Sequence, residues 1–324
     1  MIRALCAILL LAGLAAGADG GKTESAPITL TPASSKVLPI QPFSYSGSVQ
    51  CDGKNNLYFY VGSSPRDSVV YELLADGTHN IIGLTGKDGA DNYYVAFRVD
   101  PDGKLWLLAG DKTDHPIIFE LHDDATSPTV TKLDTPEDLN ALTIQNFIVL
   151  QSGHILVHGY LNEKAGKEER GHSYLADFEP SGRLVRKTVG KGVAAEAADW
   201  AAQVPALEGE DRLIYLLELD KVVLVSQAGK KIREITLDPP EPDFRPYKMY
   251  LSGRRLVVAF SKNSPAPAKV VARYALFDTS SGERLRLYQP DPELGNNLLC
   301  FSSEGFTFYR VEHGNIKLVT ARPE

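Results

Sequence analysis

Short apolar runs recur along almost the whole chain, each opened by a glycine that stands beside a polar residue. Cys51-Asp52-Gly53 precedes Leu57-Tyr58-Phe59-Tyr60, and Asp102-Gly103-Lys104 leads into Leu105-Trp106-Leu107. The arrangement returns at Ser152-Gly153 before Ile155-Leu156-Val157, at Ser252-Gly253 before Leu256-Val257 and at Glu304-Gly305 before Phe306-Thr307-Phe308. A weaker copy runs from Gly209 to Leu213-Ile214. Each glycine reads as a tight hairpin turn that needs positive φ, and each run as a β-rich, mostly buried strand. A second hairpin signal falls inside most repeats, at Gly77, Gly182, Gly229 and Gly282. Every unit therefore predicts four antiparallel strands, A to D, with one glycine turn between A and B and the other between C and D. Only residues 194–202 carry a helical pattern, short enough for one or two turns in a connection.

The units repeat about every fifty residues, and a four-stranded sheet of that size cannot bury both of its faces alone. Neighbouring sheets must cover them, which predicts an all-β fold: a six-bladed β-propeller. The last repeat supplies an A strand near 298–301, a B strand near 306–312 and a C strand over 316–321, but no D strand. Near the N-terminus Ile28-Thr29-Leu30-Thr31-Pro32 resembles Ile235-Thr236-Leu237-Asp238-Pro239, the D strand of the fourth unit. A segment at about 27–32 is thus expected to pair with 316–321, complete the last blade and close the ring, hiding an open sheet edge.

The first 18 residues change the picture of where the protein works. Met1-Ile2-Arg3 is followed by an apolar run from Ala4 to Ala16 and by Ala16-Gly17-Ala18, the small-x-small pattern of a cleaved signal peptide. The run is shorter than the ~20 residues that span a bilayer. The expected organisation is a signal peptide at 1–18 and a single propeller domain at 19–324, secreted or periplasmic, without membrane insertion. The net charge of −7, with no cluster of Lys or Arg, gives nucleic-acid phosphates little to grip. Removal of the leader takes Cys6 and leaves Cys51 and Cys300, both near A/B turns and adjacent across the seam where the ring closes. In an oxidising compartment two such cysteines are either bonded or buried as thiols, and the repeat alignment leaves both arrangements open.

Turns such as Asp100-Pro101-Asp102-Gly103-Lys104-Leu105-Trp106 resemble those of the six-bladed propeller group that includes NHL-repeat and SMP-30/gluconolactonase-like proteins. Members of the lactonase-like group hold calcium with a Glu, an Asn and an Asp drawn from separate blades, so the resemblance implies a metal-dependent hydrolase as an alternative function. The residues themselves point first to a non-enzymatic exported binding module or scaffold with no cofactor, because no local nucleophile, zinc or phosphate-loop motif is present.

Candidate chemistry is sparse. Glu208-Gly209-Glu210-Asp211 and Asp88-Gly89-Ala90-Asp91-Asn92 are oxygen-rich, but a solvated turn or connection explains both. His154 and His158 share one side of a strand and lack a third metal ligand nearby. The mixed-charge stretch 162–171 reads as a projecting B-to-C loop. The set best placed for binding lies where D-to-A loops enter the innermost strands, around the channel mouth on the top face: Tyr45, Asn92, Tyr93, Gln145, Asn146, Trp200, Arg245, Tyr247 and Asn297. Aromatic faces, amides and one guanidinium suit a small molecule, a carbohydrate or a peptide segment of a protein partner.

Overall fold

The computed structural model describes residues 26–38, 46–61, 69–74, 76–83, 93–100, 102–110, 116–121, 129–134, 141–162, 171–189, 207–228, 230–264, 269–295, 297–313 and 315–322. These contain 25 strands and no helix; the short helical pattern at 194–202 and the leader at 1–18 lie outside the described residues.

The strands form six sheets. Blade 1 is β3 (Ser46–Cys51), β4 (Leu57–Val61), β5 (Val69–Leu73) and β6 (His79–Gly83), and blade 2 is β7 (Tyr93–Val99), β8 (Leu105–Gly110), β9 (Pro116–Leu121) and β10 (Thr129–Lys132). Blade 3 comprises β11 (Ala141–Val149), β12 (Ile155–Asn162), β13 (Gly171–Phe178) and β14 (Leu184–Val189); blade 4, β15 (Leu207–Glu208), β16 (Ile214–Leu217), β17 (Lys221–Val225) and β18 (Lys231–Thr236). Blade 5 runs from β19 (Arg245–Ser252) through β20 (Arg255–Ser264) and β21 (Lys269–Asp278) to β22 (Arg284–Pro290). Blade 6 has β23 (Asn297–Ser302), β24 (Gly305–Glu312) and β25 (Asn315–Ala321). Within each blade, neighbours in sequence pair antiparallel.

The core is divided among the joints between blades. Alternate residues of a strand face opposite sides of its sheet. In β20, Leu256, Val258 and Phe260 pack toward blade 4, while Val257 and Ala259 pack toward blade 6. Both faces are buried, so the strand reads as a continuous apolar run. Six apolar clusters result, one in each joint, including one between blades 6 and 1 that holds Leu299, Cys300, Ile316 and Leu318 against Val49, Leu57, Phe59 and Leu73. That last cluster makes the ring continuous. Blades 5 and 6 meet through aromatics, with Tyr274 edge-on to Phe308 at 5.5 Å between ring centres and Tyr288 edge-on to Phe306 at 5.2 Å.

The N-terminal segment closes the ring, but with different residues from those the sequence suggests. β1 (Ile28–Leu30) lies parallel on the outer edge of blade 5, pairing Ile28 with Tyr288 and Leu30 with Pro290. The missing D strand of blade 6 is β2 (Pro32–Leu38), antiparallel to β25 from Pro32 opposite Ala321 to Leu38 opposite Ile316. The physical reason is burial. Leu30 fills the joint between blades 5 and 6, and Leu38 fills the joint between blades 6 and 1. The residues between them in β2 are exposed, so that strand carries almost no apolar pattern.

Two turns also depart from the glycine rule. In blade 1 the positive φ belongs to Asn55 rather than Gly53, and the Asp52 carboxylate fixes the turn by accepting from the Lys54 and Asn56 N–H groups, both at 2.9 Å. In blade 4 it belongs to Arg212, with φ 61°, while Gly209 is needed for space. A Cβ there would lie 2.6 Å from Asp211 Oδ1 and 2.8 Å from the Tyr215 ring.

Candidate functional site

All six innermost strands run from the D-to-A connections to the A/B turns, so their first residues ring the channel mouth on one face. Arg245 opens β19 and Asn297 opens β23, and both are exposed. The Arg245 guanidinium donates to the Pro242 carbonyl at 3.0 Å and the Phe244 carbonyl at 3.1 Å, which pins it against the connection from blade 4. Tyr247, two residues further in, is half-buried, and burial pushes its phenol above the ordinary tyrosine value while a hydrogen bond with Tyr274 opposes the shift. Arg245 and Asn297 thus open neighbouring innermost strands in blades 5 and 6, while Tyr247 packs against the apolar cluster between those blades. Tyr93, Gln145 and Asn146 are placed by their backbones in β7 and β11. Tyr45, Asn92 and Trp200 lie outside the described residues, as do the loops at 88–92 and 163–170.

Beside the mouth, Phe244 is buried beneath two cations, Lys262 with Nζ 4.7 Å from the ring centre and Arg273 at 5.5 Å. Glu241 pairs with both. This cluster anchors the connection between blades 4 and 5 and so fixes where β19 begins.

Deeper in the ring, one strand position recurs with a single task. The residue two before each A/B turn reaches the next blade. Gln50 donates to the Phe97 carbonyl and accepts from the Val99 N–H at 3.0 Å, joining blades 1 and 2. Arg98 Nε donates to the Phe147 carbonyl at 2.7 Å, joining blades 2 and 3. Tyr250 donates to the Leu298 carbonyl, joining blades 5 and 6. At the seam the same position is Cys300, bonded to Cys51 of blade 1 with a Cα separation of 6.0 Å, inside the range a disulfide allows. In blades 3 and 4 the position holds Ile148 and Leu207, which join by apolar packing instead.

The acidic and histidine candidates serve as braces. Glu208 accepts from the Gln151 N–H and the Gln227 amide, both at 2.7 Å, tying blade 4 to blade 3. Asp211 accepts from the Tyr215 hydroxyl at 2.8 Å, and burial followed by this bond pushes that phenol up to about 12. His154 Nδ1 lies 2.9 Å from the buried Asp177 carboxylate, which Arg186 also meets at 3.0 Å. His158 is placed only by its backbone in β12. Among the described residues no group of three or more His, Cys, Asp or Glu side chains converges as metal ligands would.

Sequence reasoning missed Arg98 and Lys248, which both belong to innermost strands. Lys248 Nζ lies 4.9 Å from the centre of the Tyr250 ring. Burial, with repulsion from Arg98 added, brings its pKa down to about 8. The available signal was the unusual presence of a charge within otherwise apolar innermost strands, in Tyr93-Tyr94-Val95-Ala96-Phe97-Arg98-Val99 and Tyr247-Lys248-Met249-Tyr250.

No family model matches the chain, and no curated protein matches it. Several solved structures share its fold. A luciferin-regenerating enzyme aligns over 91% of this chain and 98% of its own, at 8% identity and a TM-score of 0.53. A protein of unknown function from Dyadobacter fermentans covers 90% and 99% at 10% identity and a TM-score of 0.52. The Pan2 WD40 domain of Neurospora crassa covers 91% and 96% at 9% identity and a TM-score of 0.51. At these identities the likeness is one of fold: the chain is a six-bladed β-propeller.

Proposed function

We propose that the protein is an exported, non-enzymatic binding module that presents the mouth of its channel to a small molecule, a carbohydrate or a peptide segment of a protein partner. The observation that carries this reading is the exposure of Arg245 and Asn297 at the first positions of two neighbouring innermost strands. Their strands are locked to each other by the Tyr250 hydrogen bond and by a shared aromatic core. A rigid ring that offers an exposed guanidinium and an exposed amide at the starts of two neighbouring strands is prepared for recognition. Export is supported by the leader-like pattern at 1–18 and by the bonded Cys51 and Cys300.

The test is a panel of glycans and short peptides screened with the mature protein and with Arg245→Ala and Asn297→Ala. Binding that both substitutions weaken supports the reading. Binding that neither alters places the interface elsewhere. Addition of millimolar calcium tests the lactonase-like alternative directly, since a metal held by the native state alone raises the melting temperature. A calcium-dependent rise accompanied by lactone hydrolysis would replace the binding-module reading.

A further inference from the structure

Val185, Ile232 and Leu285 hold one structural position in three successive blades. Each is the second residue of its D strand, β14, β18 or β22, and each is the extra residue of a β-bulge that shifts the register against the neighbouring strand. A bulged residue is left out of the ladder. The three side chains are 47%, 51% and 37% exposed. One exposed aliphatic residue needs no explanation, but the same feature in three adjoining blades makes a row.

The row is set in positive charge. β14, β18 and β22 carry Arg186, Lys187, Lys231, Arg233, Arg284 and Arg286 against one acid, Glu234, in a chain whose net charge is −7. The sequence hides this cluster, because a whole blade's length of chain separates its parts. Contacts between blades bring the parts side by side: Arg186 donates to the Gln227 carbonyl at 2.7 Å in the C/D turn of blade 4, and Arg233 to the Ser280 carbonyl in that of blade 5. Arg284 reaches back to the Asp238 carbonyl at 3.3 Å. These three guanidinium groups act as staples, while Arg183, Lys230, Lys231 and Arg286 are exposed beside the row. Glu179 and Glu234 pair with Arg183 and Lys231 at the surface, where such a pair is worth little and yields to a better-placed carboxylate. The D strands of blades 1 and 2 differ. β6 and β10 pair without a register shift and hold one Lys or Arg between them, Lys132.

Shape and chemistry together select the occupant. A nucleic-acid or sulfated-polysaccharide backbone satisfies the cations but has nothing with which to cover the aliphatic side chains. A bilayer offers both charge and hydrocarbon, yet successive blades of the six are rotated by a sixth of a turn, so a flat surface meets one of the three sites at a time. A peptide carries carboxylates and aliphatic groups on one chain and bends around a convex edge. The edge of blade 5 already accepts an extended segment, since β1 lies on β22 from Tyr288 to Pro290, just past Leu285.

We propose that the outer edge of blades 3, 4 and 5 docks an extended segment of a partner protein that is rich in acidic and aliphatic residues. This surface goes beyond the reading of the channel mouth and does not depend on it.

The experiment is fluorescence anisotropy of a labelled peptide built from repeated Glu-Leu-Glu-Ser units, titrated with the mature protein at fixed ionic strength. A control peptide has serine in place of each leucine. The parent is expected to bind the leucine peptide at least about tenfold more tightly than the control, since that peptide alone covers the aliphatic row. Val185→Ser/Ile232→Ser/Leu285→Ser removes this preference, and Lys231→Glu/Arg286→Glu weakens the binding of both peptides. Melting followed by circular dichroism checks the fold of each variant, and the charge variant, which leaves the row intact, decides the matter should the triple variant unfold. No binding of the leucine peptide, equal affinity for the two peptides, or binding that neither variant alters overturns the proposal. Heparin and phosphatidylglycerol vesicles are titrated in parallel. Tighter binding of either, lost in the same variants, would assign the edge to a polyanion or a membrane and would equally overturn it.

Discussion

At the blade joints, side chains two residues before the inner turn cross to the next blade and find a partner there, whereas Lys248, two residues before Tyr250 on β19, carries an ammonium that burial disfavours and that rests over the Tyr250 ring. Both lie on innermost strands, yet they differ in what they do for the fold. A joint adds apolar area and satisfied hydrogen bonds, and its loss lowers stability. Lys248 adds a charge that the folded ring solvates poorly, and its loss should not. Changes at the joints should therefore lower the melting temperature, and removal of the Lys248 charge should not.

The largest effect is expected from removing residues 26–38, which deletes both β1 and β2. It uncovers the edge of β25 and strips Leu30 and Leu38 from two joints at once. Circular dichroism and size-exclusion chromatography should show loss of the cooperative transition and aggregation; a truncated chain that melts like the parent would mean the ring closes without these strands.

Next comes the seam. The Cys51–Cys300 bond closes a loop spanning 249 positions, and the chain-entropy account gives such a crosslink between about 2 and 5 kcal/mol. The double substitution Cys51→Ser/Cys300→Ser should lose that amount in denaturant titration, and the denatured, unreduced mature protein should show no titratable thiol. Two free thiols would remove the crosslink from the account.

A smaller loss is expected at the joint of blades 1 and 2. Gln50→Leu leaves the Phe97 carbonyl and the Val99 N–H without their partner, a cost of about 1–3 kcal/mol. Equal stability of the variant would show that water replaces the amide there. Smaller still, and of opposite sign, Arg212→Gly should raise stability by about 1 kcal/mol, because φ at that position is 61°. A fall in stability would mean that the arginine side chain outweighs its backbone strain.

The legibility of these regions in the sequence follows the same division. Blade count and strand order were readable because each B strand is buried on both faces and follows a turn, as Leu105-Trp106-Leu107 follows Gly103. The closing strand was misplaced by a few residues because Pro32-Ala33-Ser34-Ser35-Lys36-Val37-Leu38 is exposed except at its end and shows no alternation. The cysteine pairing required a register that one-residue bulges make uncertain, and β23 has such a bulge between Leu298 and Cys300. Counting from the turns places Arg245 and Asn297 at the starts of β19 and β23. The burial of Lys248 could not be read in this way, because it depends on strands far apart in the sequence.

The most direct test of the contrast between the joints and the buried lysine is the stability of the parent and of Lys248→Met as pH rises from 7 to 9. The groups that face Lys248 keep their charge state in this window: burial leaves Arg98 at about 10, and it pushes the phenols of Tyr247 and Tyr250 above their ordinary value of 10. Lys248 titrates at about 8 when folded and near 10.5 when unfolded. The unfolded chain therefore binds more protons as pH passes 8, and the parent should gain stability with rising pH relative to the variant. At pH 7 the variant should melt at or above the parent. Parallel pH profiles, with the variant less stable throughout, would show that Lys248 is a structural residue whose charge costs the fold nothing.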